Sequence, residues 1–166
     1  MTYTTPIMAD IATKDLQGFT HSAISREFSR MLTLLGAAIE MERDTEEVDV
    51  FDIAFKNWLD AAEDGWQHVS AAMERILAQP PVRCEDTSLQ HLAFLIQLVL
   101  GFEDRDDCAA FNQMIDYHGA IFRCKNRTPV GRRTNRMIET AIAHYRTLNT
   151  MIFRDELDNG DLLLSR

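Results

Sequence analysis

Apolar residues recur every three or four positions through most of this 166-residue chain, and this spacing most limits what the chain can fold into. A side chain that must face a core at every third or fourth residue fits an α-helix, with its roughly 3.6 residues per turn. No stretch shows the sustained alternation of apolar and polar residues that a half-buried strand requires. The sequence therefore predicts an all-α fold: a single-domain bundle of about five helices with a buried central third helix.

The first two helices are predicted from apolar stripes on either side of an acidic stretch. The stripe of the first consists of Ile24, Phe28, Met31, Leu32, Leu35, Ala38 and Ile39. Thr45 is expected to cap the second helix, because the acidic residues that follow it would complement the helix dipole. That helix is expected to run to Gln79, since Pro80–Pro81 forbid its continuation. Its apolar face is predicted to hold Phe51, Phe55, Trp58, Ala62, Val69, Met73 and Ile76.

The third and fourth helices follow the two prolines. Thr87-Ser88-Leu89-Gln90 has the pattern of a capping box and is expected to start the third helix. Its segment Leu92–Leu100 is apolar nearly all round, which favours a central position, and Gly101 suits its C-terminal cap. The acidic run Glu103–Asp107 is expected to open the fourth helix. The apolar seam of the fourth helix is predicted at Cys108, Phe111, Ile115, His118 and Phe122.

The fifth helix has the clearest start, with Thr128 as N-cap and Pro129 as first helical residue. It is expected to continue to about Glu156, before a turn at Asn159-Gly160. The stripe of this helix is Met137, Ile138, Ala141, Ile142, Tyr145, Leu148 and Ile152. The resulting division is a loosely ordered N-terminal arm at 1–19, a helical bundle domain at 20–156 and a C-terminal tail at 157–166.

Charge is separated along the chain. From Glu40 to Asp64 there are ten acidic residues against two basic ones, whereas Arg123 to Arg136 holds six basic residues and no acidic one. A solvent-exposed helical surface usually carries acidic and basic residues side by side. Either the two stretches face each other, within the fold or across a dimer, or one of them faces a charged partner.

The basic stretch is the candidate anion site. The first turn of a helix presents unpaired backbone N–H groups and a partial positive charge, and arginine binds phosphate or carboxylate with two parallel hydrogen bonds. The alternative is that these side chains pair with the acidic residues at 40–64 or solvate a loop. The candidate anion-binding residues are Arg123, Lys125, Arg127, Thr128, Arg132, Arg133 and Arg136.

Composition limits where the protein acts. The net charge of −9 argues against general binding to nucleic acid or to an anionic membrane. The longest apolar run, Leu92–Leu100, is broken by Gln97 and is far shorter than a membrane span. No cationic segment followed by an apolar run marks a secretory signal, and the three cysteines lack Cys-x-x-Cys spacing, which suits reduced thiols. We expect a cytoplasmic protein that makes no membrane contact.

No sequence signature of catalysis or of a cofactor is found. The chain has no Gly-x-Ser-x-Gly elbow, glycine-rich phosphate loop or dinucleotide fingerprint. Helical bundles bind metals through carboxylates and histidines three or four residues apart, and among the later four histidines only the pair Asp64–His68 has that spacing. His118 falls on an apolar seam, where a buried, hydrogen-bonded histidine is the plainer explanation. We predict no catalytic residue, no metal site and no cofactor.

These observations leave three functional hypotheses. The leading one is a non-enzymatic interaction or regulatory protein that self-associates or docks a protein partner, with its separated charges fixing the orientation. In a homodimer, the acidic patch of one subunit could meet the basic patch of the other. The first alternative is a bundle that binds phosphate or another small anion at the start of the fifth helix, with enzymatic activity left open. The second is a nucleic-acid-associated regulator, which the negative net charge disfavours.

Overall fold

The structure, a computed structural model, describes residues 21–46, 53–101 and 105–163, with side chains described for 21–45, 53–101 and 107–151. The all-α fold is confirmed, since this part of the chain contains helices and no strand. The expected arm at 1–19 and Phe51 lie outside the described residues. The elements are α1 (Ala23–Glu46), α2 (Phe55–Ala78), α3 (Cys84–Leu100), α4 (Arg105–His118), a 3₁₀-helix (Gly119–Phe122) and α5 (Pro129–Leu163).

α1 and α2 form an antiparallel hairpin. Towards the C-terminal end of α1, Trp66 donates from Nε1 to Oε2 of Glu42 at 2.9 Å. At the opposite end of the hairpin, Arg75 pairs with Glu27 at 3.1 Å. The faces that meet are the ones that the apolar spacing predicts, because every residue of the predicted α1 stripe is buried. On α2 the buried members are Ala62, Val69, Met73 and Ile76, together with Ala72. The prediction is wrong for Trp58, which is 46% exposed, and Phe55 is only partly buried, because both lie in the first turn of α2.

α3 packs against α1, α2, α5 and the 3₁₀-helix, so its central position is confirmed. Its inward residues Leu89, Leu92, Ala93, Ile96 and Val99 are buried. It is not enclosed on every side, however. Phe94 and Leu98 are 53% and 46% exposed, because the neighbouring helices leave one stripe of α3 uncovered.

α5 runs parallel to α1. A hydrogen bond joins His21 to Arg133 near the start of both helices, and a methyl group placed on Gly36 would lie 3.2 Å from Cε1 of His144 further along. α4 packs beside α5 and forms a second, smaller core cluster. Its members are Val99, Phe111, Ile115 and Tyr145.

Two predicted helix starts are wrong. Thr45 lies inside α1, where its hydroxyl donates to the carbonyl of Met41 at 2.8 Å. A threonine with such a local partner does not need to end a helix, and no glycine or proline interrupts this turn. α2 begins later, at Phe55. Thr87 does not cap α3, which begins three residues earlier at Cys84 because the Asp86 carboxylate accepts backbone N–H groups there.

The end of α4 also differs from the prediction. His118 is exposed and does not lie on the apolar seam, because the chain tightens into the 3₁₀-helix at Gly119 and the periodicity changes. Phe122 is buried as predicted, but it belongs to the 3₁₀-helix. The start of α5 at Pro129 and the cap of α3 at Gly101 are confirmed.

The C-terminal end of α5 was predicted too early. The helix continues to Leu163 instead of ending near Glu156. Asn159-Gly160 therefore lies within the helix and does not form a turn. A glycine inside a helix costs about 1 kcal/mol relative to alanine, which a long helix tolerates.

Candidate anion site

The starts of three helices meet at one end of the bundle. Ser22, just before α1, donates to Oδ1 of Asp86 in the first turn of α3 at 2.5 Å. Asn126, in the loop that leads into α5, donates to Oε1 of Glu85 at 3.1 Å. α1, α3 and α5 therefore run parallel from this end. Because each helix carries a partial positive charge at its N-terminus, the three together create a field that favours negative charge.

A cleft of about 280 Å³ opens between these helix starts. It is bounded by the segment preceding α1, the first turns of α1 and α3, and the first two turns of α5. Three arginines and two carboxylates contribute to its wall. The lining residues are His21, Ser22, Ser25, Arg83, Glu85, Asp86, Pro129, Val130, Arg133, Thr134 and Arg136.

Asp86 is the internal anion of this region. It is 1% exposed, and its carboxylate accepts the Ser22 hydroxyl and the backbone N–H groups of Val82 and Arg83, both at 3.0 Å. Ser22 Oγ also accepts the N–H of Ser25 at 3.0 Å and so caps α1. A buried carboxylate with three donors is well satisfied. Asp86 therefore fastens the start of α1 to the start of α3 and leaves no need for a further cation.

Glu85 is also buried and joins α3 to the loop before α5. Its second oxygen accepts a hydrogen bond from the thiol of Cys84 at 3.2 Å, and this hydrogen bond raises the pKa of the Cys84 thiol. Burial raises the pKa of the Cys124 thiol and outweighs a hydrogen bond with Ser88 that lowers it. Both thiols are therefore held in the protonated, weakly nucleophilic form at neutral pH.

The side chains that α5 contributes to the cleft differ in whether they have a hydrogen-bond or ion-pair partner. Nη1 of Arg133 lies 2.6 Å from Nε2 of His21, and since arginine only donates, the histidine nitrogen is the acceptor of this hydrogen bond. Thr134 is 2% exposed and lines the cleft. Arg136 is exposed and forms no ion pair within the described part of the chain. Arg136 is thus a cation of the cleft that has no acidic partner among the described residues.

Of the seven residues predicted from sequence, Arg133 and Arg136 line the cleft. Arg123 instead pairs with Glu139 at 3.2 Å, and Arg132 donates to the carbonyl of Arg127 at 2.8 Å. Thr128 caps α5 by accepting the N–H of Gly131 at 3.1 Å, as predicted for an N-cap. Arg127 and Lys125 are exposed and do not line the cleft.

Sequence reasoning missed the other half of the cleft. His21, Ser22 and Arg83 come from segments remote from the basic stretch, and nothing in their local pattern marks them as neighbours of α5. Arg83 carried the one usable signal, because it follows Pro80–Pro81 and so stands near a helix start. Only the parallel packing of α1, α3 and α5 brings these residues together.

The described part of the acidic stretch, 40–45 and 53–64, lies towards the other end of the bundle. α1 is 24 residues long, which at about 1.5 Å per residue separates its ends by roughly 35 Å. Glu40 pairs locally with Arg43 at 3.0 Å, near the C-terminal end of α1. Within the described ranges, no ion pair joins the acidic stretch at 40–64 to the basic stretch at 123–136. The separated charges are therefore not satisfied by pairing inside this part of the fold.

Neither a metal centre nor a membrane-spanning helix is found among the described residues. No group of three or more histidine, cysteine, aspartate or glutamate side chains is arranged to hold a metal ion. Asp64 and His68, the pair with metal-ligand spacing, both lie on the exposed surface. None of the helices has the length and apolar character needed to span a bilayer.

A second groove, of about 400 Å³, lies between α4 and α5. Two exposed ion pairs border it, Arg123 with Glu139 and Arg146 with Asp116, the latter at 2.6 Å. Its charged groups are thus already paired with each other, whereas Arg136 in the cleft at the helix starts has no ion pair among the described residues.

Comparison of the chain with protein-family models, with curated proteins and with solved structures finds no match in any of the three.

Proposed function

We propose that this protein is a non-enzymatic binding protein that holds a small anion, a phosphate or a carboxylate group, in the cleft between the starts of α1, α3 and α5. The observation that carries the proposal is the cleft itself, on which three helix starts converge and which Arg136 lines without an ion pair among the described residues. An anion there would meet the partial positive charge of the helix starts and a guanidinium that can give it two parallel hydrogen bonds.

Charge in the cleft supports the same ligand class. Arg83, Arg133 and Arg136 stand against the carboxylates of Glu85 and Asp86, so arginines outnumber carboxylates in the wall of the cleft. Asp86 is already fully engaged with its own donors. The dipoles of three helices add to the arginines. An incoming anion would therefore meet donors from α5 and a favourable field from all three helix starts.

Size restricts the ligand. Sites for drug-sized molecules usually enclose about 300–1,000 Å³, and this cleft, at about 280 Å³, falls just below that range. Inorganic phosphate, or one phosphoryl or carboxylate group of a larger molecule, would fit. Both thiols near the cleft have a raised pKa, which argues against a nucleophilic role for them.

Thermal unfolding of the full chain tests the proposal. A ligand at about ten times its dissociation constant stabilises the native state by about 1.4 kcal/mol, which for a chain of this size raises the melting temperature by about 3–5 °C. We expect sodium phosphate to produce such a shift relative to sodium chloride at equal ionic strength. Arg133→Gln should abolish the phosphate-dependent part of the shift.

Arg132→Gln is the matched control, because Arg132 is the adjacent arginine and carries the same charge but lies outside the cleft. It should keep the phosphate-dependent shift even if its own melting temperature changes. The proposal is wrong if phosphate and chloride stabilise the wild-type chain equally. It is also wrong if the two variants lose the shift to the same extent, since that would indicate general charge screening.

The interaction hypothesis is a second candidate, favoured by a different observation. The acidic and basic stretches lie at opposite ends of the bundle and are not paired with each other in the described residues. Such a charge distribution is suited to orient a protein partner or a second copy. Self-association driven in this way should weaken at high salt, and light scattering that reports a monomer at every salt concentration would contradict it.

A further inference from the structure

The outward face of α3 is apolar at its centre. Phe94 and Leu98 are four residues apart, so they lie on one side of the helix, and both remain about half exposed. His91, one turn earlier, is exposed on the same side. Large apolar side chains at adjacent turns of a helix are typical of a surface that packs against another helix.

The exposed charges near the two ends of α3 differ in sign. The start of α3 lies beside the basic stretch, where Lys125 and Arg127 are exposed. The end of α3 points towards the acidic half of α2, since α2 and α3 are antiparallel, with Gln90 bonded to the carbonyls of Ile76 and Gln79. On that part of α2, the acidic side chains are exposed: Asp60, Glu63 and Asp64. The apolar centre of α3 therefore lies between a basic region near its start and an acidic region near its end.

We propose that this face binds a second copy of the same chain, with α3 antiparallel to α3 of the partner subunit across a two-fold axis. In that arrangement Phe94 and Leu98 pack against the same residues of the other copy, and each basic end meets an acidic end. The helix dipoles of the two α3 helices are also opposed, which is the favourable orientation. A parallel pairing would instead place like charges together at both ends.

The two-fold arrangement also predicts the size of the assembly. Contacts between the basic end of one copy and the acidic end of the next, without the α3 face, would continue indefinitely and form chains. The α3 face is used by both copies at once, so association stops at two. We therefore expect a dimer of about 38 kDa, twice the 19.0 kDa of the chain, and no larger species. This inference deepens the interaction hypothesis and does not depend on anion binding.

Light scattering coupled to size-exclusion chromatography tests the surface. The wild-type chain should be dimeric at about 100 µM in low salt and should shift towards monomer at about 0.5 M sodium chloride, because the end contacts are screened. The double variant Phe94→Ser, Leu98→Ser should be monomeric in both buffers. Both side chains are exposed in the single chain, so circular dichroism of the variant should match that of the wild type.

The matched control is Tyr117→Ser, Ile121→Ser, which removes two exposed apolar side chains, 81% and 73% accessible, from α4 and the 3₁₀-helix. This variant should remain dimeric. A monomeric wild type at every concentration, chains larger than a dimer, or a double variant of α3 that dimerises as well as the wild type would each overturn the proposal.

Native Cys84 reports the orientation, because it is exposed at the first residue of α3. In a parallel pair the two Cys84 thiols would lie side by side and oxidised glutathione could join them. In an antiparallel pair they stand more than about 20 Å apart, since α3 has 17 residues at about 1.5 Å each. Non-reducing electrophoresis of the oxidised dimer should show no Cys84–Cys84 cross-link, and its efficient formation would exclude the antiparallel pairing.

Discussion

The phenol of Tyr145 lies in the core beneath α4. Its ring meets Phe111 edge to face, with ring centres 5.1 Å apart, and its hydroxyl is buried without a hydrogen-bond partner among the described residues. Burial raises the pKa of Tyr145 to about 12 from its ordinary value near 10. The folded chain therefore keeps this proton between about pH 10 and 12, where the unfolded chain has released it. This contribution to stability is complete below about pH 10 and is lost as the pH rises through about 12.

Tyr145→Phe should stabilise the fold by about 1 kcal/mol at pH 7, because it removes an unpaired buried hydroxyl and keeps the ring contact. It should also remove part of the loss of stability above about pH 10, since phenylalanine has no proton to release. Urea denaturation of both proteins at neutral and alkaline pH measures the two effects. A variant less stable than the wild type at pH 7 would mean that the hydroxyl has a partner after all.

At the scale of elements, the helix starts are fixed by side chains that local capping rules do not identify. The capping-box pattern at Thr87 suggested one start for α3, but the start is set by Asp86, which accepts two backbone N–H groups of the preceding turn. The same carboxylate accepts Ser22 and so fixes where α1 begins relative to α3. A cap that serves two helices is a tertiary feature, and no window of local sequence contains both partners.

Asp86→Ala should destabilise the fold by about 2–4 kcal/mol, because it leaves three buried or partly buried donors without an acceptor. Thr87→Ala, the neighbouring substitution at the exposed residue that the sequence favoured as cap, should change stability by less than about 0.5 kcal/mol. Chemical denaturation of the two variants compares the two assignments directly. Equal losses would contradict the capping role of Asp86.

For the whole molecule, the opposite placement of the two charged stretches changes what salt should do. If acidic and basic stretches were paired within the fold, salt would screen an attraction and lower stability. At opposite ends of the bundle, each stretch mainly repels itself, and salt screens that repulsion. The two charged stretches of the sequence therefore form a basic end and an acidic end of the bundle, and they are not paired with each other within the described residues.

We expect the free energy of unfolding of the monomeric variant Phe94→Ser, Leu98→Ser to stay level or rise, by less than about 1 kcal/mol, between about 50 and about 500 mM sodium chloride. Use of this variant separates the effect on folding from any effect on dimerisation. Urea denaturation at the two salt concentrations provides the measurement. A fall of more than about 1 kcal/mol would indicate that attraction between the two stretches does stabilise the fold.

About half of the candidate site could be read from local sequence. Thr128 and Pro129 marked the start of α5, and from that start the arginines at 133 and 136 could be assigned to a helix end that attracts anions. Which arginines turn towards the cleft could not be read, because Arg132 and Arg133 are adjacent in sequence but face different surroundings. His21 and Ser22 are more than 100 residues away from α5 in the chain.

The sequence by itself determined the helical class, the apolar faces and most of the buried residues, because helix periodicity is a local property that a single turn already expresses. It also determined the start of α5, where proline fixes its own φ angle, and it placed the end of α3 at Gly101. Only the tertiary structure decided that α1, α3 and α5 start at the same end and that one face of α3 stays open. These features depend on how helices pack against each other. Helix packing brings together surfaces that are far apart in sequence, so a local sequence pattern cannot predict it.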